Sequence, residues 1–339
     1  MNRINTIRYM GNKSKLLDFI VPEFKKLCHE GNTICDLMAG TNSVSYALRD
    51  SFRVITNDVE EYSYVISKSI ICNSDNALYI DYLERMKTLY DYNMTYKEYN
   101  YFYLNYSDKY FSPKQCLEID SIRYAIEELN IGKDVYLTAL MYAMNNAQST
   151  PGHFAQFLPK GHPRVQSLRK ISIWEVFKRK MYELATVKPS KYKNLALNSD
   201  YRKILEDDNF VNQVDCFYID TPYTGEQYSR FYHLLNTIVK YDSPQINFKA
   251  GYRKDRFKSN FSLRTKVKEE FNYMIDKIAK NKKNIIMSYS DKGLLTEEEL
   301  LEIFKIYLYD VKVKYHGYNH STQGKGNSRV NEILFIAKF

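Results

Sequence analysis

The groups best suited to chemistry in this sequence stand together in one tetrapeptide, Asp220-Thr221-Pro222-Tyr223. It places a carboxylate, a carbonyl whose direction the following proline restricts, and an aromatic ring side by side. Two acceptors and a flat face suit an amino-bearing heterocycle. Each acceptor can take one hydrogen of an exocyclic amine while the ring stacks on the base. A second candidate is the small-residue run Asp36-Leu37-Met38-Ala39-Gly40-Thr41-Asn42, with Asp58 about twenty residues further on. A third is Tyr9-Met10-Gly11-Asn12-Lys13-Ser14-Lys15, where a lysine in a glycine-containing turn can reach a carboxylate. In that stretch Asn12 or Ser14 can equally be no more than a helix cap.

The elements around these residues explain how they meet. Cys216-Phe217-Tyr218-Ile219 reads as a buried strand that delivers the tetrapeptide at its end. Thr33 to Leu37 reads as a strand, 38–42 as a turn, Ser43 to Arg49 as a helix, and Arg53 to Thr56 as a second strand ending at Asn57-Asp58. That order is a βαβ unit of a parallel sheet. Small residues in its turn let the backbone approach a ligand, and the helix N-terminus offers N–H donors. An acid at the end of the second strand accepts from ribose hydroxyls. With a single glycine the turn is a poor dinucleotide fingerprint, and a tight structural turn explains it equally well.

A helix with apolar periodicity spans Ser14 to about Cys28. Further strands are expected at Leu195–Leu197 and Asn284–Met287. Ile306–Tyr315 and Val330–Ala337 flank a polar loop, His316–Arg329, and read as an antiparallel hairpin. Residues 74–190 differ: they are rich in Tyr, Lys, Glu and Asn, helical in pattern, and read as an inserted subdomain.

A chain of 339 residues with 44% hydrophobic content can form one large domain, or one domain with a sizeable insertion. Its 49 Lys and Arg against 40 Asp and Glu leave a net charge of +9, which suits a polyanionic partner. Arg253, Lys254, Arg256 and Lys258 form the best candidate phosphate-contacting segment, with Lys160 and Arg164 second. A solvated basic surface is the plain alternative for both. The five cysteines include no C-x-x-C pair, and the six histidines show no metal spacing. The N-terminus lacks an apolar signal region, and no stretch approaches the ~20 apolar residues of a membrane span. The expectation is a soluble, reduced, cytoplasmic protein with neither metal nor membrane association.

The ordered set Tyr9 to Lys13, Asp36 to Asn42, Asp58, Asp200-Tyr201 and Asp220 to Tyr223 resembles the amino-methyltransferases that use S-adenosylmethionine. In particular it is similar to the Dam-like, alpha-group N6-adenine-specific DNA methyltransferases. The resemblance covers about residues 6–72 and 194–338, and Gln227 to His233 adds to it. It implies a class I methyltransferase fold: α/β and Rossmann-like, with a mostly parallel sheet and an antiparallel C-terminal hairpin. The cofactor domain would comprise 1–73 and 191–339, and 74–190 would be the target recognition domain.

The resemblance also distributes roles. Tyr9, Gly11 and Lys13 match the motif at the methionine end of the cofactor. Asp36, Gly40 and Asn42 match the strand–turn motif along methionine and ribose, and Asp58 matches the ribose acid. Asp200 and Tyr201 match the pair beside the cofactor adenine. Asp220, Thr221, Pro222 and Tyr223 match the D-P-P-Y catalytic motif. Two positions depart from the pattern. Thr221 stands for proline but still supplies a carbonyl, and Asn42 stands for glycine but tolerates positive φ. The implied partner is double-stranded DNA, with a cognate restriction endonuclease left open. Gly317 to His320 is a candidate neighbour of the target base. Three alternatives stay open: methylation of cytosine N4 or of adenine in RNA, a non-catalytic nucleic-acid-binding module on the same fold, and a nicotinamide-dependent dehydrogenase.

Overall fold

Short apolar runs alternating with amphipathic helices build a sheet covered on both faces. The structure, a computed structural model, describes residue 4 and residues 7–72, 75–321 and 327–339, and the side chains of these except 318–330. The strands are β1 (Thr33–Asp36), β2 (Arg53–Asn57), β3 (Leu195–Leu197), β4 (Cys216–Ile219), β5 (Ile246–Asn247), β6 (Tyr252–Arg253), β7 (Asn284–Ser290), β8 (Asp310–Ser321) and β9 (Asn327–Lys338). Seven of them form one sheet in the order β3-β2-β1-β4-β7-β9-β8, and β5 and β6 form a separate small ladder. The first five of that order pair in parallel, while β7–β9 and β9–β8 are antiparallel. β1 and β4 are buried along their whole length, as central parallel strands covered on both faces must be.

Alternation along the strands separates two cores. On one face Ile34, Val54, Tyr218, Ile286 and Leu334 pack with the Leu17–Leu27 and Glu61–Ile70 helices. On the other, Cys35, Phe217, Ile219, Met287 and Phe335 pack with the Val267–Lys280 and Glu297–Ile306 helices. From β1 the chain leaves to β2 on one side, and β4 occupies the other side. That reversal opens a crevice beyond the carboxyl ends of β1 and β4, the usual ligand position in such sheets. Asp36 and Asp220 both stand at that rim.

Residues 76–185 contribute helices at Leu83–Tyr96, Tyr101–Tyr106, Pro113–Leu129, Lys133–Ala147, Pro163–Leu168 and Ile173–Ala185. Their apolar faces join the same core as Leu17, Phe24 and Ile66 rather than forming one of their own. These helices therefore thicken one helical layer over the sheet. The boundary at 73–74 lies outside the described residues.

Two expectations at the C-terminal end change. Ile306 closes the Glu297–Ile306 helix instead of opening a strand. Thr296 accepts from the Glu299 N–H, and the Glu299 side chain accepts from the Thr296 N–H. This capping box starts the helix firmly. The stretch read as a polar loop is mostly strand: β8 and β9 stay paired from Asp310↔Lys338 to Ser321↔Asn327. β7 pairs with β9 only as far as Glu332. Beyond it the two strands form a ribbon that flanks no third strand, so polar residues are compatible with pairing. The side chains of the Tyr318–His320 candidates lie outside the described residues.

Candidate active site

The turn after β1 is tied to its neighbours by backbone bonds. Leu37 N–H donates to the Tyr218 carbonyl at 3.0 Å, and Ala39 N–H to that of Asn57 at 2.9 Å. Gly40 and Asn42 both take positive φ, +52° and +63°. A Cβ on Gly40 would meet only the Tyr9 ring at 3.7 Å, so the backbone angle rather than space calls for glycine there. Asn42 adopts the left-handed conformation expected of it. Its side chain, however, turns away from the crevice: Nδ2 donates to the Ser63 carbonyl at 3.2 Å, and Oδ1 accepts from Ser67 Oγ at 2.6 Å. Asn42 thus holds the turn to the Glu61–Ile70 helix, while Gly40, Thr41 and Ser43 face the cavity.

Three carboxyl groups line this side. Asp36 Oδ2 accepts from Ser45 Oγ at 2.5 Å, while its buried Oδ1 has no hydrogen-bond partner among the described residues. Burial pushes the Asp36 carboxyl up to about 7. Asp58 Oδ2 accepts from Gly40 N–H at 2.8 Å and Oδ1 from Glu60 N–H at 2.9 Å. These bonds fix the acid against the turn, and burial still raises its pKa. Glu60 is pushed up to about 8 by burial, with the Asp58 charge adding to it, and accepts from Asn236 Nδ2.

The tetrapeptide faces this wall from β4. Lys13 Nζ lies 2.8 Å from Asp220 Oδ1 and 3.2 Å from Glu332 Oε1, and 5.4 Å from the centre of the Tyr223 ring. Asn12 also caps, its Oδ1 accepting from Ser14 N–H at 2.8 Å, so both readings of that segment hold. Burial raises the Asp220 carboxyl, with Lys13 pulling the other way. Burial opposes the charge on Lys13, but the two carboxylates overcome it and hold the amine well above its usual range. Tyr223 packs edge-on against Tyr289, and its carbonyl accepts from Leu294 N–H at 3.0 Å. Gly11, at φ +79°, lies under the Tyr223 and Tyr228 hydroxyls. Tyr9 stacks on Tyr232 with ring centres 4.2 Å apart.

At the far end, Asp200 caps the Tyr201–Glu206 helix through the Arg202 N–H at 2.9 Å. The Tyr201 hydroxyl donates to Glu270, which also accepts from Arg202 at 2.7 Å and Asn260 at 2.9 Å. The tetrapeptide, the turn and this end all line one cavity of about 240 Å³. Of the site residues read from the sequence, Asp220 to Tyr223, Tyr9, Gly11, Lys13, Asp36, Gly40, Asp58, Asp200 and Tyr201 border it, and Asn42 does not. Residues the sequence reading did not single out also contribute: Tyr228, Phe261, Glu270 and, behind Lys13, Glu332. The signal for Glu332 was a carboxylate directly before the apolar run Ile333 to Ala337.

The basic candidates separate. Lys258 borders the cavity, and its segment is strapped beside the tetrapeptide. Ser229 Oγ donates to the Phe257 carbonyl at 2.5 Å, and Gln227 brackets Ser259 at 2.7 and 2.9 Å. Lys254 and Arg164 are exposed. Lys160 pairs with Asp108 at 3.0 Å on the surface. Arg253 departs from the phosphate-contact reading: it is 2% exposed, and its guanidinium clamps both Asp242 and Asp255 at 2.7–3.0 Å. Its donors are aimed inward at those two acids. Among the described residues no cluster of three or more His, Cys, Asp or Glu could hold a metal ion. No described helix is long and apolar enough to cross a membrane.

A family model for the D12 class N6 adenine-specific DNA methyltransferases matches residues 9–301. The chain is 30% identical over 361 residues to modification methylase LlaI of Lactococcus lactis subsp. lactis, covering 98% of this chain and 55% of that protein. It is 27% identical over 363 residues to type II methyltransferase M.FokI of Planomicrobium okeanokoites, covering 98% of this chain and 53% of the relative. Against type II methyltransferase M.NlaIII of Neisseria lactamica it is 26% identical over 348 residues, covering 97% of both. The chain therefore spans about half the length of the first two relatives and nearly all of the third. With the Asp220 tetrapeptide facing the Asp36–Asp58 wall across one crevice, the chain belongs to the D12 class of N6 adenine-specific DNA methyltransferases.

Proposed function

We propose that this chain transfers a methyl group from S-adenosylmethionine to N6 of adenine in double-stranded DNA. The observation that carries the reading is the placement of Asp220 and Tyr223 in one cavity with Asp36, Gly40 and Asp58. D12 methyltransferases use S-adenosylmethionine, and this cavity fits it. Asp36 Oδ1 is a buried acceptor awaiting a donor, as an amino group would supply. Asp58 presents a carboxylate at a strand end, and the positive-φ turn at Gly40 lets the backbone approach closely. Tyr201 and Phe261 offer apolar faces at the far end. When bound there, the cofactor supplies an electrophilic methyl group on a sulfonium.

The protein's own groups prepare the acceptor. A paired adenine amine is out of reach in a duplex, so the base must be extruded at a cost of a few kcal/mol. Stacking on Tyr223 offsets part of that cost, since base–aromatic stacking is worth about 1–3 kcal/mol. Asp220 and the Thr221 carbonyl each accept one amine hydrogen, which aims the nitrogen lone pair. Asp220 takes the proton released when the nitrogen becomes methylated. Alignment and electrostatic placement dominate over base strength. Residues 74–190 serve as the target recognition region, with Lys254, Arg256, Lys258, Lys160 and Arg164 as phosphate contacts. The type II modification names of the relatives support a role beside a restriction endonuclease.

The test is labelled methyl transfer to duplex DNA, followed by digestion and identification of the methylated nucleoside. N6-methyladenine is expected. Asp220→Ala should lose transfer by roughly 10³-fold while keeping cofactor binding. Label on cytosine N4, or transfer only to RNA, overturns the assignment.

A further inference from the structure

Glu332 is a carboxylate where the fold offers it little. It lies on β9 ahead of Leu334 and Ile336 and is fully buried, and the donors beside it are Lys13 and Ser288. Its ionic neighbour is Lys13 Nζ at 3.2 Å, the same ammonium that stands 2.8 Å from Asp220 Oδ1. Lys13 is itself 4% exposed. A buried carboxylate is costly unless a charge compensates it, so this ion pair is expensive to keep for stability alone. Two carboxylates on one ammonium leave the cluster one negative charge in excess when all three are ionised. Had Lys13 only Asp220 to serve, the pair would be neutral and Asp220 a weaker acceptor for an amine. Because Lys13 is drawn between two acids, one Asp220 oxygen is fixed and the other keeps its charge for the crevice.

We propose that Glu332 is a positioning residue for methyl transfer: it shares Lys13 with Asp220 and so sets the aim and basicity of the catalytic carboxylate. This rests on the role given to Asp220 above. The other titratable groups facing the cluster are Asp36 from β1, Tyr218 from β4, Tyr223 and Tyr228 beyond it, and His316, which stands opposite Glu332 in register on β8. From β7 only serines face it, Ser288 and Ser290.

The test is the single-turnover rate of methyl transfer in the full chain, measured across about pH 5–9 with saturating cofactor and duplex DNA. Glu332→Gln keeps the shape and removes the charge. It is expected to slow transfer about tenfold or more, with the cofactor Kd changed by less than about twofold. The acid limb of the profile should move to lower pH by roughly half a unit or more, because Lys13 then serves Asp220 alone. Lys13→Gln should move that limb to higher pH. The double variant Lys13→Gln/Glu332→Gln should match Lys13→Gln in rate within about twofold, since Glu332 acts through Lys13. The double variant has no charge imbalance at the buried pair and gives the same reading if Glu332→Gln does not fold. An unchanged rate, a slower rate with an unmoved acid limb, or an additive further loss in the double variant overturns the inference. A wild-type chain that methylates no DNA overturns the functional reading, and this inference with it. An active wild type with a normal Glu332→Gln overturns this inference alone.

Discussion

Arg253 and Arg256 stand three residues apart in the same basic segment, and their surroundings differ. Arg253 makes four charged hydrogen bonds, two to Asp242 at 2.7 and 2.8 Å and two to Asp255 at 3.0 and 2.8 Å. Arg253→Ala removes all four. Asp242 and Asp255 are 44% and 55% exposed, so water can recover part of their solvation. The expected cost is therefore about 2–3 kcal/mol, below the range for breaking a fully buried pair. In a chain of this size that lowers the melting temperature by roughly 3–4 °C. Its effect on the salt dependence of DNA binding should be negligible. Arg256→Ala is the converse. Among the described residues Arg256 donates to the Arg253 carbonyl, at 3.3 Å, and stands over the Tyr252 ring. If it contacts one phosphate, its loss reduces the slope of log K against log salt by about 0.9. Between 50 and 200 mM salt that is about a 3.5-fold smaller change in Kd. Thermal melts and binding titrations at several salt concentrations read both quantities. A salt slope that falls by about one in Arg253→Ala with an unmoved melting temperature refutes the assignment.

Three further outcomes follow from the site. Asp58→Ala removes the acceptor of the Gly40 and Glu60 N–H groups and should weaken cofactor binding by roughly 10–100-fold, with little effect on the rate at saturation; an unchanged calorimetric Kd refutes the ribose role. Tyr223→Ala should lose about 1–3 kcal/mol of target-base stacking, read as slower single-turnover transfer and as weaker fluorescence of 2-aminopurine extrusion; wild-type behaviour in both excludes stacking. Asp36, held at about 7 in the fold against 3.8 for an ordinary carboxyl, binds its proton more tightly folded than unfolded. The stability it lends is complete below about pH 4 and is lost as pH rises toward 7, so Asp36→Asn should flatten that part of the stability–pH curve; identical slopes for both proteins refute it.

The fold was legible where one physical rule acted alone. β1, β2 and β4 are short apolar runs ended by an acid or a turn, and a strand buried on both faces has few other patterns. Misreadings came where two rules compete. Ile306 is β-branched and followed by Tyr307, Leu308 and Tyr309, yet the Thr296–Glu299 capping box committed the chain to a helix that ends on it. The polar stretch around His316 looked like loop because polarity usually marks solvent-exposed connections. Past the end of β7 the two strands pair only with each other, and backbone pairing does not depend on side-chain polarity there. The helical character of residues 83–185 was visible by composition, but not their merger with the core of Leu17 and Ile66, because amphipathic periodicity states which face is buried and not against what.

Within the site, local chemistry was readable and long-range pairing was not. Asn42 shows the limit at one residue. Its tolerance of positive φ follows from its side chain, but that the same side chain binds Ser63 and Ser67 instead of facing the crevice depends on a helix twenty residues away. Arg253 shows it for charge: a basic run proposes a phosphate, and only the tertiary position of Asp242 shows that the guanidinium is already engaged. Glu332 is the strongest instance. It lies more than 100 residues after Asp220 and more than 300 after Lys13, yet the antiparallel return of β9 beside β7 brings all three into one charge cluster. A buried acid is costly unless a cation compensates it, and the topology decides which cation does so. Here that cation belongs to the turn before the first helix, so the two ends of the chain jointly hold the carboxylate that the opening tetrapeptide supplies.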